Sequence, residues 1–313
     1  MDFEFSQNFL LFWDTLKKAN HWLESVLATA NLDIDDRTVA HLLATPAEDG
    51  GQWNMFVALV RKHGLVLREA KTAVLAVVHR VLAIHLGTPP ERVFWQWQDK
   101  DRDFHREGWL TPHAFADRYA SLPLEDYVCL VHDPRPGSQL GRTYTVDHLG
   151  NVVDAPPVVY LNVDMDLIQK LTMDSLVDGR PVWFGCDTAP MSHGGMGLWD
   201  AGLYDYDAVY DVETTMTKAD RLLHHATLMT HAMLFTGVDV VEGVPRRWRV
   251  ENSWGETRGD KGFWTMNDNW FGEHLFEVAV HRDRLPPALM AALDQEPVRL
   301  PAWDPMGALA ARG

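Results

Sequence analysis

Cysteine is scarce in this chain, with two in 313 residues. Two thiols make no disulfide framework. Neither a Cys-x-x-Cys pair nor a His-Glu-x-x-His helix occurs, which argues against a zinc enzyme, and no metal or other cofactor is expected. Positive charge is also short: 28 Lys and Arg stand against 44 Asp and Glu, a net charge of −16. With a pI near 5.3, that balance argues against nucleic acid or an anionic membrane surface as a partner. No apolar run approaches the length of a transmembrane helix. Met1-Asp2-Phe3-Glu4-Phe5 lacks the basic n-region of a signal peptide, and there is no internal repeat or low-complexity tract. What the chain does have is 46% hydrophobic residues, with 13 Trp and 13 Phe. These can fill a large core in one big domain or two lobes, and the expectation is a soluble cytoplasmic protein.

The first 120 residues read as mainly helical. Phe9, Phe12, Leu16, Trp22, Leu23, Val26 and Leu27 share one stripe behind an N-cap at Ser6. A short helix follows near Arg37 to Ala44, and a glycine turn at Gly50-Gly51 leads into a helix that stops at Gly64. A further helix is expected from Leu67 to Leu86, where His79 and His85 lie six apart and cannot share a metal. Val93 to Trp97 reads as a strand, and Thr111-Pro112 opens another helix. Beyond residue 126 the pattern becomes strand-rich: Tyr127 to Val131, Val158 to Leu161 and Val182 to Cys186 are apolar strands, with a helix from Asp164 to Leu176. A long loop with Gly194, Gly195 and Gly197 spans residues 189–205, of the kind that edges binding sites. Thr217 caps a helix expected to run through Leu228. The layout is α+β, with a helical lobe over residues 1–125, a strand-rich lobe over 126–300 and a C-terminal arm over 301–313.

The chemistry gathers in residues 230–262. His231 opens an apolar strand, a turn-rich patch with Gly243 and Pro245 follows, and Trp248 to Glu251 runs into Asn252-Ser253-Trp254-Gly255. Folding this hairpin between about Val240 and Arg247 brings His231 and Asn252 to one end. An amide oxygen beside an imidazole can fix its tautomer and leave the other ring nitrogen free to act on a nucleophile. An isolated pair of this kind is more often a buried histidine satisfied by its neighbour.

Here the pair is not isolated. Thr230-His231-Ala232 and Asn252-Ser253-Trp254-Gly255, with Gly259 and Gly262, resemble the histidine and asparagine segments of papain-like cysteine proteases. FEFSQNFLLFW, Asp49 to Met55, CLVHDPRP, VWFGCD and PAWDPMGALA resemble the bleomycin hydrolase and aminopeptidase C branch. The resemblance implies a papain-like two-lobed fold, a helical lobe plus an antiparallel β-barrel-like one. It implies a cysteine aminopeptidase acting on peptide substrates through a thiolate acyl-enzyme, assembled as a homohexamer. His231 and Asn252 would be its catalytic pair. Gly50, Gly51, Trp254 and Ala310 would border the substrate cleft, with the arm's carboxylate meeting the substrate's α-amine.

The family's nucleophilic Cys and oxyanion Gln precede its Phe-Ser-Gln element, which here is Phe5-Ser6-Gln7. The expectation is therefore an N-terminally truncated copy with an incomplete first lobe, inactive alone. Its first lobe would expose Phe9, Phe12 and Leu16. The alternative is a non-catalytic subunit that binds peptides or joins a ring. Cys129 and Cys186 sit in apolar strands and read as inert buried thiols. The segment from Leu67 to Val74 looks shorter than the family's, and Ala311-Arg312-Gly313 extends the arm.

Overall fold

The fold is that of a computed structural model, which describes residues 4–46, 50–66, 78–120 and 122–308. Contacts divide the chain into two compact units: Met1–Asp49, Asn54–Glu125 and His148–Val158 form one, and Gly50–Trp53, Asp126–Asp147 and Val159–Gly313 the other.

The first unit holds helices α1 (Gln7–Ala28), α2 (Arg37–Ala44), most of α3 (Trp53–His63), α4 (Val78–Leu86) and α5 (Pro112–Tyr119). Strands β1 (Val93–Gln98) and β2 (Phe104–Leu110) pair as an antiparallel ribbon. The caps fall where the side chains dictate: Ser6 accepts from the Phe9 amide and Thr111 from the Ala114 amide, each satisfying an otherwise orphaned donor. Of the helix expected from Leu67, residues 67–77 lie outside those described. The expected exposure of Phe9, Phe12 and Leu16 is not found: all three are buried, whereas Leu23 and Leu27 farther along the stripe are exposed. Phe12 is fully buried, with its ring edge-on to His79 on α4. Phe9 joins Val66, Val93, Trp95 and Phe115 in a small core. The aromatic ribbon β1–β2 and α5 supply the cover that the hydrophobic pattern of α1 alone does not reveal.

The second unit is built on one sheet of eleven strands, ordered β13-β4-β5-β3-β12-β6-β9-β10-β11-β8-β7. In chain order these are β3 (Tyr127–Val131), β4 (Thr143–Val146), β5 (Tyr160–Asn162), β6 (Val182–Cys186), β7 (Ser192–His193) and β8 (Leu198–Trp199). Then come β9 (His231–Val241), β10 (Val244–Glu251), β11 (Phe263–Asn267), β12 (Leu275–His281) and β13 (Val298–Leu300). The sheet is open, not a closed barrel, and it is mixed: β3–β5, β4–β13 and β8–β11 are parallel. Helices α6 (Met165–Val177), α7 (Tyr206–Tyr210), α8 (Lys218–Leu223), α9 (Asp268–His274) and α10 (Pro287–Met290) complete the unit.

Two expectations need correction here. Helix α8 ends at Leu223, not Leu228, because His225 turns left-handed at φ 55°. The amides of Ala226 and His225 then reach back to the carbonyls of Arg221 and Leu222, a Schellman closure. The glycine-rich loop is also not all surface. Its Trp199 is fully buried against Trp264 and Trp270, so β8 anchors the loop to the core.

Strand β12 carries a buried carboxyl group. Glu277 is almost fully covered, and its Oε1 has no hydrogen-bond partner among the described residues. Burial pushes its carboxyl up to about 8, with a hydrogen bond from Cys129 working the other way. Between the ordinary carboxylate range and about pH 8 the unfolded chain is ionised while the folded chain keeps its proton. Stability therefore falls as pH rises through that window, by at most about 1.4 kcal/mol per pH unit. Glu277→Gln should flatten that slope and raise the melting temperature at pH 8. Thermal melts of both chains at about pH 5 and pH 8 check this; equal slopes would refute it.

Candidate active site

His231 stands at the first position of β9, and the chain enters it pinned on both sides. The Thr230 amide donates to the Cys186 carbonyl at 2.9 Å. The Thr188 amide donates to the Thr230 hydroxyl at 3.1 Å, and the Thr227 hydroxyl to the Asp187 carboxylate at 2.7 Å. Burial pushes the Asp187 carboxyl up, against the hydrogen bond from Thr227. Across the ladder Cys186 pairs with His231 and Gly185 with Ala232.

The hairpin delivers Asn252. Its turn is only Glu242-Gly243, both left-handed at φ 53° and 81°, the tight two-residue form whose twist suits antiparallel strands. The turn is therefore shorter than the expected Val240-to-Arg247 stretch, and β9 and β10 run longer. At the far end the Asn252 amide donates to the Gly262 carbonyl at 3.1 Å. The returning loop is wedged against β8: a Cβ at Gly197 would lie 2.4 Å from the Gly259 Cα. Only glycine permits that approach.

The result is a compact triad of rings and amide. His231 Nε2 donates to Asn252 Oδ1 at 3.1 Å. Trp254 stacks on the imidazole, with centroids 5.0 Å apart and planes 16° apart, and Trp264 meets Trp254 edge-on. Asn252 is 9% exposed and Trp254 37%, so the hydrogen bond is shielded while the outer ring keeps a free surface. Nε2 carries the proton in this arrangement, and Nδ1 makes no hydrogen bond among the described residues. That leaves a lone pair available to take a proton, and to return it as an acid.

Neither thiol lies in a reactive setting. Neither Cys129 nor Cys186 is in a disulfide, and both are buried. Cys186 is fully covered, and burial, with the nearby Asp187 charge, pushes its thiol well above the ordinary range. It is the ladder partner of His231, yet no hydrogen bond joins the two side chains among the described residues. Cys129 instead hydrogen-bonds to the Glu277 carboxyl.

The same unit fixes the C-terminal arm. Arg135 grips Asp133 through Nε and Nη2 at 2.9 and 2.7 Å, and Asp304 through Nη1 and Nη2 at 3.0 and 2.9 Å. All three side chains are largely buried. Burial raises Asp133, but bonds from Arg135 and Ser138 outweigh it and hold the carboxyl below its usual value. Beyond this clamp, Gln52 Nε2 donates to the Ala308 carbonyl at 3.2 Å. Gly50 and Gly51 lead directly into Gln52, so the expected cleft-side glycines adjoin the residue that holds the arm. Ala310 and the Ala311-Arg312-Gly313 extension lie outside the described residues.

The clamp and the Gln52 contact were not among the site residues the sequence suggested. CLVHDPRP and PAWDPMGALA already contained the clamp's three charged members, but nothing in either segment says that they meet.

Two outcomes follow. Asn252→Ala should convert the single Nε2–H tautomer of neutral His231 into a mixture, read from imidazole 15N shifts; an unchanged pattern would mean the amide does not set the tautomer. Asp304→Ala leaves part of a buried guanidinium unpaired and should cost about 3 kcal/mol, seen as a lower urea midpoint.

The sequence profile of the Peptidase C1-like family matches residues 1–72 and 66–307. The two stretches meet inside the segment expected to be shorter than the family's. Aminopeptidase C of Listeria innocua serovar 6a is 38% identical over 350 aligned residues, covering 99% of this chain and 79% of the relative. Bleomycin hydrolase of Homo sapiens is 38% identical over 361, covering 99% and 79%. The crystal structure of PepW from Lactobacillus rhamnosis HN001 superposes with a TM-score of 0.94 at 37% identity, over 99% of this chain and 80% of that one. By profile, by identity over nearly its whole length and by fold, the chain belongs to the Peptidase C1-like family, with that family's papain-like α+β architecture.

Proposed function

We propose that this site is the proton-transferring half of a cysteine-type aminopeptidase. The observation that carries the reading is the 3.1 Å bond from His231 Nε2 to Asn252 Oδ1 beneath the stacked Trp254. In the reaction a thiolate adds to the carbonyl carbon of the first peptide bond, forming a C–S bond. As the C–N bond breaks, His231 delivers its proton from Nδ1 to the leaving amine. A water then attacks the thioester carbonyl and gives a proton to His231 Nδ1; the C–S bond breaks, the acid leaves, and the thiolate is restored beside the imidazolium. Asn252 keeps the imidazole oriented while its charge changes, and Trp254 keeps water off the bond between them.

The nucleophile is the part that the two cysteines of this chain do not supply. A thiol must be ionised and accessible to attack; Cys129 and Cys186 are both buried, and burial pushes the Cys186 thiol well above its ordinary range. No oxyanion donor matching the family's Gln is assigned among Gln7 and Gln52. Gln7 lies at the start of α1, and Gln52 is engaged with Ala308. The C-terminal arm, held by Arg135 and Gln52, fits the expected role of meeting the substrate's α-amine. A cleft bordered by Gly50, Gly51, Trp254 and Ala310, the lobe boundaries at residues 125 and 300, a homohexameric ring and a cytoplasmic location belong to the same reading.

A non-catalytic subunit that binds peptides is the second reading. The intact, shielded His231–Asn252 pair fits it equally well, since that geometry persists without a nucleophile. The sequence of the transcript upstream of the Met1 codon separates the two: an in-frame Gln…Cys-Trp segment supports the enzyme, and its absence the binding subunit.

The 313-residue chain should show no hydrolysis of aminoacyl fluorogenic substrates and no labelling by a thiol-directed epoxide at neutral pH. Kinetic assays and intact-mass spectrometry check both. Stoichiometric labelling of Cys129 or Cys186 together with turnover would overturn the assignment.

A further inference from the structure

A cation lies over the Trp254 ring that stacks on His231. The guanidinium carbon of Arg258 lies 5.7 Å from the centroid of the Trp254 ring, and that ring is 5.0 Å from the imidazole. Arg258 is exposed and, among the described residues, makes no ion pair with any carboxylate. Glu251, Glu256 and Asp260, the acidic residues of the same stretch, leave it unneutralised. Its backbone is nevertheless fixed. The Arg258 carbonyl accepts from the Gly262 amide at 3.1 Å, and the next residue is the Gly259 wedged against Gly197. This is a constrained loop presenting a cation, in a chain whose net charge is −16.

The position has a chemical meaning on the peptidase reading of the site, on which this inference rests. An imidazole that protonates a leaving amine must face the leaving half of the peptide, so that half runs out past Trp254. Extended chain advances roughly 3.3–3.6 Å per residue, so the two steps from imidazole to guanidinium span two or three residues. An exposed guanidinium held over an indole keeps N–H edges free, and that fork matches a carboxylate. We propose that Arg258 is a specificity-determining residue on the leaving side of the scissile bond. It favours peptides with a carboxylate two or three residues beyond that bond. The carboxylate is either the C-terminus of a short peptide or an Asp or Glu side chain. A local cation also offsets the repulsion that an acidic protein exerts on such an anion.

The test needs no turnover. The 313-residue chain is titrated with Ala-Ala-Ala, with its C-terminal amide, and with Ala-Ala-Asp amide, while the His231 imidazole and Trp254 indole resonances are followed by NMR. Both peptides that carry a carboxylate should bind roughly two- to fivefold more tightly than the neutral amide, the range of an exposed ion pair. Tighter binding by Ala-Ala-Ala alone would assign the preference to the C-terminus; tighter binding by the Asp amide alone would assign it to the side chain. Arg258→Gln should bind all three peptides alike, and Arg258→Lys should recover part of the difference. If the three peptides shift His231 and Trp254 with equal affinity in the unmodified chain, the role of Arg258 is wrong and the peptide site stands. If none of them shifts these resonances, the peptide site is wrong and the inference falls with it.

Discussion

The register of the β9–β10 hairpin is the constraint on which the site depends. In a strand, a slip of one residue sends every side chain to the opposite face. The ladder slips twice, between Pro245 and Arg247 on β10 and again between Arg249 and Val250. The second irregularity cancels the first: Val244 pairs with Val241 and, beyond both bulges, Glu251 with Leu234 on the same count. Continued, that register carries Trp254 toward His231 and places Asn252 beside it, where the stack and the hydrogen bond are found. The left-handed Glu242-Gly243 turn starts the count, and the neighbouring β6 and β11 hold it.

Around this hairpin, packing and polarity have different tasks. The core beneath it is aromatic: Phe184 stacks on Phe235, and Trp248 on Phe271. Such rings supply area and a single fit. The polar interactions position the termini of elements. Arg135 joins a strand-end turn to a segment 169 residues away in the chain, and its worth lies in geometry more than in net stability, since burying three charges costs much of what their attraction returns. Glu277 shows the opposite case, a buried carboxyl without a cation, which the fold tolerates by keeping it protonated.

The two cysteines illustrate why a reactive group cannot be inferred from proximity alone. Cys186 sits across the ladder from His231, yet the sheet buries it completely. An apolar environment stabilises the thiol over the thiolate. The imidazole meanwhile keeps a solvent-side neighbour in Trp254 and a free nitrogen. Cys186 is thus kept from His231 by burial, not by distance, and the family's chemistry requires a sulfur in a different setting.

Much of this was legible in the sequence because it is local. Ser6 and Thr111 cap their helices through their own side chains, the stripe of Phe9, Phe12 and Leu16 follows helical period, and the His231 and Asn252 segments carry recognisable chemistry with a turn between them. By itself the sequence determined the α+β class and the family, and it pointed to His231 and Asn252 as neighbours, which the 3.1 Å bond between them bears out. It did not show that the α1 stripe is covered, because the covering residues on β1 and α5 are distant in the chain. Nor did it show that the glycine-rich loop roots in the core through Trp199, or that β11 and β12 exist. Their side chains belong to a sheet whose strand order is non-sequential. The clamp of Arg135 on Asp304, the latch of Gln52 on Ala308 and the place of Arg258 over Trp254 were decided only by tertiary structure. The first two join groups far apart in the chain whose local sequences have no preference for each other, and the third depends on the loop that Gly197 and Gly259 pin.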